Sequence, residues 1–357
     1  MEFLTYPRTV ELTSSLPDVV VKLTTGAEQA VARIEIDDVE VYRETLYGTD
    51  VEMDGTTAKV ITLSDLGDLV TPYARRRQTV IVDLYFEQVG ISYIGIRTKV
   101  VYCKADIVGD VLPAVFLGSH FLSILMGKKM TALGRLEYLH YVPQGISEEQ
   151  RSCTALYSDD TTEVFDVSIV QYGDNFRTID VSPGNFLTTG KTLVGYTITV
   201  GNRVQEFELD LMQPDCAPIL IFVNSFGLDE LAYCTGTHKV DPSYKRSMAY
   251  VGRIQRNYKI DETRNFKADT GPLTIPMANW WDDVFRSDSV RIVNFYDGHP
   301  NVGKDLIITE SKSAYGNDDD EMPRFSFTYQ YAQRNHNVVQ LLRAGRIFDN
   351  TFDKTFN

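Results

Sequence analysis

Cysteine is scarce, with four residues in 357, at positions 103, 153, 216 and 234. They form neither a CxxC pair nor the dense spacing of a disulfide-stapled scaffold, so a reducing compartment is expected and stability must come from packing. The five histidines, His120, His140, His238, His299 and His336, never fall within four residues of one another, which excludes HxH and HExxH zinc spacing. A GxSxG elbow and a Walker A loop are also missing, so neither acyl transfer nor nucleotide hydrolysis is expected, and no cofactor, metal or catalytic residue is assigned. Positive charge is in deficit: Lys plus Arg is 35 against 49 Asp plus Glu, a net charge of −14. Such a molecule repels phosphate backbones and anionic leaflets, so nucleic acid and membrane are not expected as partners. The opening MEFLTYPRTVELTSS lacks the basic start and apolar stretch of a secretory leader.

Long apolar runs are few. The longest, Val111 to Gly127 (VLPAVFLGSHFLSILMG), touches the lower edge of membrane-spanning length but carries Pro113, Gly118, Ser119, His120 and Ser123. Apolar spacing at 117, 121, 124 and 125 predicts a buried helix across 111–127 instead.

What the chain has in abundance is aromatic residues: Tyr 20, Phe 18 and Trp 2. That bias suits half-buried pleated strands and points to a mainly β fold built of antiparallel β-sandwich-like modules with one or two short helices. Alternation predicts strands from Val19 onward with a break at Gly26, then at 59–63, 79–86, 91–102 and 134–142. Turns are expected at Asp54-Gly55, Gly67-Asp68 and Thr71-Pro72. Further on, 163–172, 192–200 and 204–211 alternate, with Gly201-Asn202 as a hairpin turn between the last two. A third β-rich stretch runs through 219–223, 249–258, 290–296, 305–309 and 325–331. The polar segment Ser147 to Ser152, after Pro143-Gln144-Gly145, predicts a domain boundary. The expected organisation is therefore an N-terminal domain over 1–146, a C-terminal β-rich region over 153–345 that is either one sandwich-like module or two divided near 212, and an aromatic tail over 346–357.

Several clusters deserve a chemical reading. Asp318, Asp319, Asp320 and Glu321 lack the alternate spacing of a calcium loop and read as a solvated loop. Trp280-Trp281 followed by Asp282-Asp283 has two readings: a glycan-contact or glycosidase cleft, or a short helix NWWDDVF that buries its aromatics, with Asn279 as N-cap. Arg75, Arg76 and Arg77 form a compact basic cluster, expected on an exposed loop that makes protein contacts. Asn224-Ser225-Phe226-Gly227 reads as a strand leaving a core into a glycine turn. In the tail, Phe348, Phe352 and Phe356 recur every four residues, an aromatic stripe that would dock on this chain or on a neighbouring subunit.

The segments CAPILIFVNSFGLDELAYCTG (216–236), Arg256-Asn257-Tyr258, FSFTYQYAQRNHNVV (325–339), RIFDNTFDKTFN (346–357) and AVFLGSHFLSILMGKKMTALGRLEYLHY (114–141) together resemble structural proteins of tailed phages and prophages of Bacteroidetes-type gut bacteria. The resemblance implies a virion component of tail, baseplate or neck type, assembled in the bacterial cytoplasm. Its partners would be other virion proteins and further copies of itself, and it carries no catalytic residue. Two other classes stay open, a carbohydrate-binding module recognising a host glycan through Trp280 and Trp281, and a glycoside hydrolase.

Overall fold

The computed structural model describes residues 1–332 except 54, 89–91, 108–110, 146–147, 174, 212–217, 297–298 and 317–320. The fold is mainly β, and its strands fall into three groups along the chain. The tail stripe Phe348, Phe352 and Phe356 and the acidic run 318–320 lie outside the described residues.

The first group comprises β1 (Glu2–Thr5), β2 (Val10–Leu12), β3 (Val19–Lys22), β4 (Gln29–Ile36), β5 (Val39–Tyr47), β6 (Thr49–Met53), β7 (Thr56–Leu63), helix α1 (Leu66–Arg77), β8 (Thr79–Gln88) and β9 (Ser92–Val101). Two sheets form, β1-β3-β7-β6 and β2-β9-β8-β4-β5. The alternation in β4 buries Ala30, Ala32, Ile34 and Ile36 against Val19, Val21 and Ile61 of the other sheet, and Leu66, Val70 and Ala74 of α1 join that core. Helix α1 replaces the two turns expected at Gly67-Asp68 and Thr71-Pro72. Pro72 lies inside it, where the missing N–H is tolerated because the apolar face at 66, 70 and 74 is buried.

The second group comprises α2 (Pro113–Ser119), β10 (Lys129–Thr131), β11 (Tyr138–Tyr141), β12 (Arg151–Tyr157), β13 (Thr162–Asp166), β14 (Ile169–Tyr172), β15 (Arg177–Asp180), β16 (Leu193–Val200) and β17 (Arg203–Leu209). Its sheets are β10-β17-β16-β12-β13 and β11-β15-β14. Gly201 takes φ 58 in the expected hairpin turn, pairing Val200 with Arg203. The expected strand 163–172 is instead two strands, β13 and β14, in different sheets. Strand pairing also crosses the expected boundary at 147–152: β10 runs parallel to β17, and β11 pairs with β15.

The helix expected over 111–127 is real only over α2, which opens on Pro113 and closes where the His120 N–H donates to Phe116 O. Beyond it, Phe121 enters the second group's core, Leu122 a junction core with Leu12, Val101 and Phe226, and Leu125 the core of the third group. A helix presents one stripe to one core. An irregular segment lets neighbouring residues enter three, which is why the helical spacing misled.

The third group comprises β18 (Ile219–Val223), β19 (Asp229–Tyr233), β20 (His238–Val251), β21 (Ile254–Asp269), α3 (Ile275–Arg286), β22 (Val290–Tyr296), β23 (His299–Lys312) and β24 (Ser326–Tyr331) in one seven-stranded sheet, β19-β18-β22-β23-β24-β21-β20. Helix α3 is capped by Thr274, whose hydroxyl accepts from the Met277 N–H, rather than by Asn279. Trp280 and Trp281 are 1% and 0% exposed within the sheet's core, so the helix reading holds and neither ring offers a face to a sugar. The strand expected over 249–258 is in fact a hairpin tip: Gly252 at φ 68 turns the chain, and Val251 faces Ile254.

Candidate interaction surface

Strands β20 and β21 pair along their whole length, yet the rest of the sheet holds only their base. Strand β24 meets β21 over Phe266–Asp269 alone. At that base His238 stacks on Phe266 (centroids 5.9 Å) and its Nε2 lies 2.9 Å from Tyr329 Oη, while Phe266 stacks on Tyr329 at 5.0 Å. From residue 241 to 261 every residue is exposed except the half-buried Ser247. About eleven paired positions at roughly 3.3 Å each make an arm about 35 Å long.

The arm has two unlike faces. Tyr244, Met248 and Tyr250 take alternate positions on β20 and share a face, and Ile260 joins them across from Arg246. The register shifts between Ser247 and Met248, leaving Tyr258 as an extra residue on β21, a bulge that increases local twist. On the other face Ser243 lies across from Thr263, Lys245 from Asp261 and Ser247 from Lys259. Met248 is 58% exposed and Tyr250 75%, so the first face holds apolar and aromatic side chains in water among Arg246, Gln255, Asn257 and Glu262, and the unpaired Tyr258 is 71% exposed. Pro242 on the outer strand lacks an N–H and interrupts that edge as a template for a further strand, which leaves the faces as the contact surface.

Charge sets the arm apart as well. Residues 243–260 contain Lys245, Arg246, Arg253, Arg256 and Lys259 and no Asp or Glu, a net of +5. The remainder of the chain then carries 30 bases and 49 acids, a net of −19. Sequence reading singled out Arg75–Arg77 because those bases are contiguous. It missed the arm because the arm's five bases are spread over two strands and meet only when the hairpin closes. The legible signal was the density of five bases within residues 245–259 with no acid among them.

Arg75–Arg77 occupy the last turn of α1 rather than a loop, where cations suit the helix C-terminus. Arg75 Nη2 is 2.9 Å from Asp288 Oδ2, an oxygen that Lys104 also approaches, and Arg77 pairs with Asp37. Two of the three therefore have partners within the chain, and Arg76 is exposed.

The turn 224–227 is built by its own side chains. Asn224 Oδ1 accepts from the Phe226 and Leu228 N–H groups, and its Nδ2 donates to Leu122 O and Glu230 Oε2. Asp283, 4% exposed, accepts from the Ser225 N–H at 2.9 Å and hydroxyl at 2.6 Å, and burial raises its pKa. Its carboxylate is thus engaged in fastening α3 to this turn. Nearby, Lys129 Nζ lies 2.8 Å from Glu137 and 3.8 Å from Glu230, all three buried. Burial pushes the Glu137 pKa up to about 6 and that of Glu230 up as well. Among the described residues no three His, Cys, Asp or Glu side chains cluster so as to hold a metal ion, and no helix is long and apolar enough to cross a membrane.

No protein-family model and no curated protein matches the chain. Among solved structures it is similar to a titin fragment titled "Anomalous substructure of Titin-A168169", at 10% identity over 58% of this chain and 98% of that one, with a TM-score of 0.23. Another is "Crystal Structure of Rst D1-D2", at 8% identity over 58% and 98%, with a TM-score of 0.22. A third is pullulanase type I from Bacillus subtilis complexed with maltose, at 9% identity over 64% and 27%, with a TM-score of 0.17. At such scores none of the three bears on what this chain does.

Proposed function

We propose that this chain is a structural component of a tailed phage or prophage particle, tail-associated, that works through protein–protein contacts. The observation that carries the reading is the hairpin arm: a mainly β body extends a two-stranded ribbon whose residues 241–261 are exposed apart from the half-buried Ser247, with five bases and no acid over 243–260. Surface of that kind is costly to leave in water and is a common mark of an assembly contact. The resemblance of the segments at 114–141, 216–236, 256–258, 325–339 and 346–357 to phage structural proteins supplies the setting. The glycan-binding alternative loses its proposed platform with Trp280 and Trp281 in the core, and the glycosidase alternative must contend with Asp283 already holding Ser225.

The test is incorporation into particles. Gradient-purified particles from the producing bacterium should contain the chain, and a version whose arm is trimmed by replacing 243–260 with Asn-Gly should fold with unchanged melting temperature yet be missing from them. Absence of the intact chain from particles, or equal incorporation of the trimmed one, would overturn the reading.

A further inference from the structure

We infer that the C-terminal aromatic stripe, Phe348, Phe352 and Phe356, docks on its own chain, in the apolar cavity between α2 and the turn at Phe226. This docking goes beyond the assembly reading and does not depend on it.

The cavity forms where the chain leaves β9, enters α2 and passes on towards β10. Ile107, Val111, Phe116, Ile124, Met126 and Phe226 line about 380 Å³, within the size range of pockets that bury a ligand. One wall is a column of rings: His120 stacks on Phe116 at 4.9 Å and Phe116 on Phe226 at 5.9 Å, with planes 9° and 6° apart. Such a wall accepts a further ring edge-on or offset. Val111 and Met126 are 45% and 48% exposed, and Leu112 and Val115 at the opening of α2 are 44% and 57%, so the apolar surface continues over the rim. The cavity beside Asp18, Asp65 and Asp68 is lined chiefly by polar groups, and that beside Lys129 and Trp280 holds about 30 Å³, so neither offers a ring such a seat.

The length of chain beyond β24 selects the occupant. The Ala332 N–H donates to Asp305 O, and Tyr331, Leu306, Val290 and Phe222 stand side by side on β24, β23, β22 and β18. Three strand spacings make about 14 Å. Phe226 follows Phe222 by four residues, at most about 14 Å more. Residues 333–347 can span about 50 Å, so Phe348 reaches the cavity with slack. That connecting stretch carries Arg334, Arg343 and Arg346 and no acid, which favours its lying along a chain of net charge −14. Rings four residues apart share one face, so one enters the cavity while the others lie on the rim. Tethering gives the stripe an effective concentration of the order of millimolar, well above that of a second copy in dilute solution, so the docking is within one chain.

The experiment is amide hydrogen exchange on the full chain at about 1 and about 50 μM, read by mass spectrometry over 346–357 and 111–126. Both segments are expected to be protected, and to the same degree at the two concentrations. Phe348→Ser/Phe352→Ser/Phe356→Ser, which leaves the body untouched, should speed exchange in both segments about tenfold or more, and Val115→Glu/Met126→Glu should speed it over 346–357. A stripe that exchanges as fast as an unstructured peptide, protection of 346–357 that survives the rim variant, or exchange over 111–126 indifferent to the three serines would each overturn the inference. Protection that grows with concentration would overturn it too, by placing the stripe on a neighbouring subunit.

Discussion

The indole N–H of Trp280 donates to Oε1 of Glu230 across 2.9 Å, with both residues buried. This bond joins α3 to β19 and shows why a tryptophan is tolerated in the centre of the core: its one polar atom is satisfied. The same carboxylate accepts from the Ser123 hydroxyl and, through its other oxygen, from Asn224 Nδ2, while Lys129 Nζ sits 4.9 Å over the indole ring. Segments from the second and third strand groups thus meet on one buried charge.

Glu230→Ala is expected to destabilise by about 3–5 kcal/mol, because it leaves the Trp280 indole N–H and one Asn224 amide N–H buried without an acceptor and leaves Lys129 with Glu137 as the one carboxylate beside it. Trp280→Phe should cost less, about 1–3 kcal/mol, since the carboxylate keeps its other partners. Urea denaturation of the two variants checks the order. The reverse ranking would mean that the carboxylate organises nothing.

His140 and Glu137 give pH dependences of opposite sign. Burial lowers the His140 pKa from 6.5 to about 4, and the neutral ring is held by Thr178 Oγ1 and Asp229 O. Its contribution is fully present above pH 6.5 and is lost as pH falls from 6.5 towards 4, roughly 3 kcal/mol at full extent. Glu137, raised from 4.5 to about 6 by burial, contributes stability that is present below pH 4.5 and lost as pH rises through about 6. Between these values the two oppose each other. His140→Gln should flatten the loss of stability on acidification, and Glu137→Gln should steepen it, as read from melting temperature against pH.

Gly227→Ala should destabilise by about 1–3 kcal/mol. Gly227 has φ 76, and a Cβ there would lie 2.9 Å from Tyr102 Cδ1, so backbone strain and a clash with a buried ring act together. Asp283→Asn should cost a similar amount by weakening its hold on Ser225, with no effect on the hydrolysis of any surface polysaccharide. Thermal unfolding checks both, and a reducing-sugar assay checks the last point.

Tyr250→Ser and Tyr258→Ser should change the stability of dilute protein by no more than about 0.5 kcal/mol, because both rings lie in water on the arm. A larger loss would show that the arm folds back on its own body in solution.

Limited proteolysis separates local sequence from tertiary pairing at residues 147–152. Because β10 pairs with β17 and β11 with β15 across that segment, a nick there should leave both fragments associated under native conditions. Dissociation into two independently folded pieces would restore the boundary expected from the polar segment.

Local rules were enough to read the strands, because alternation records which side of a pleat meets a core: β4, β12 and β17 bury every second residue. The hairpin at Gly201 and the core position of Trp280 and Trp281 were legible for equally local reasons, a turn residue with positive φ in one case and a short amphipathic segment in the other. What the tertiary structure decided was which elements meet. Residues 121–125 carry helical spacing yet serve three cores, since the chain there passes between strand groups. Tyr244, Met248 and Tyr250 alternate as core residues do, yet lie in water, because alternation specifies a face but not whether anything covers it. The five bases of the arm and the buried Lys129–Glu137–Glu230 cluster come together only through pairing across many residues, and that proximity is a property of the folded chain which no local pattern encodes.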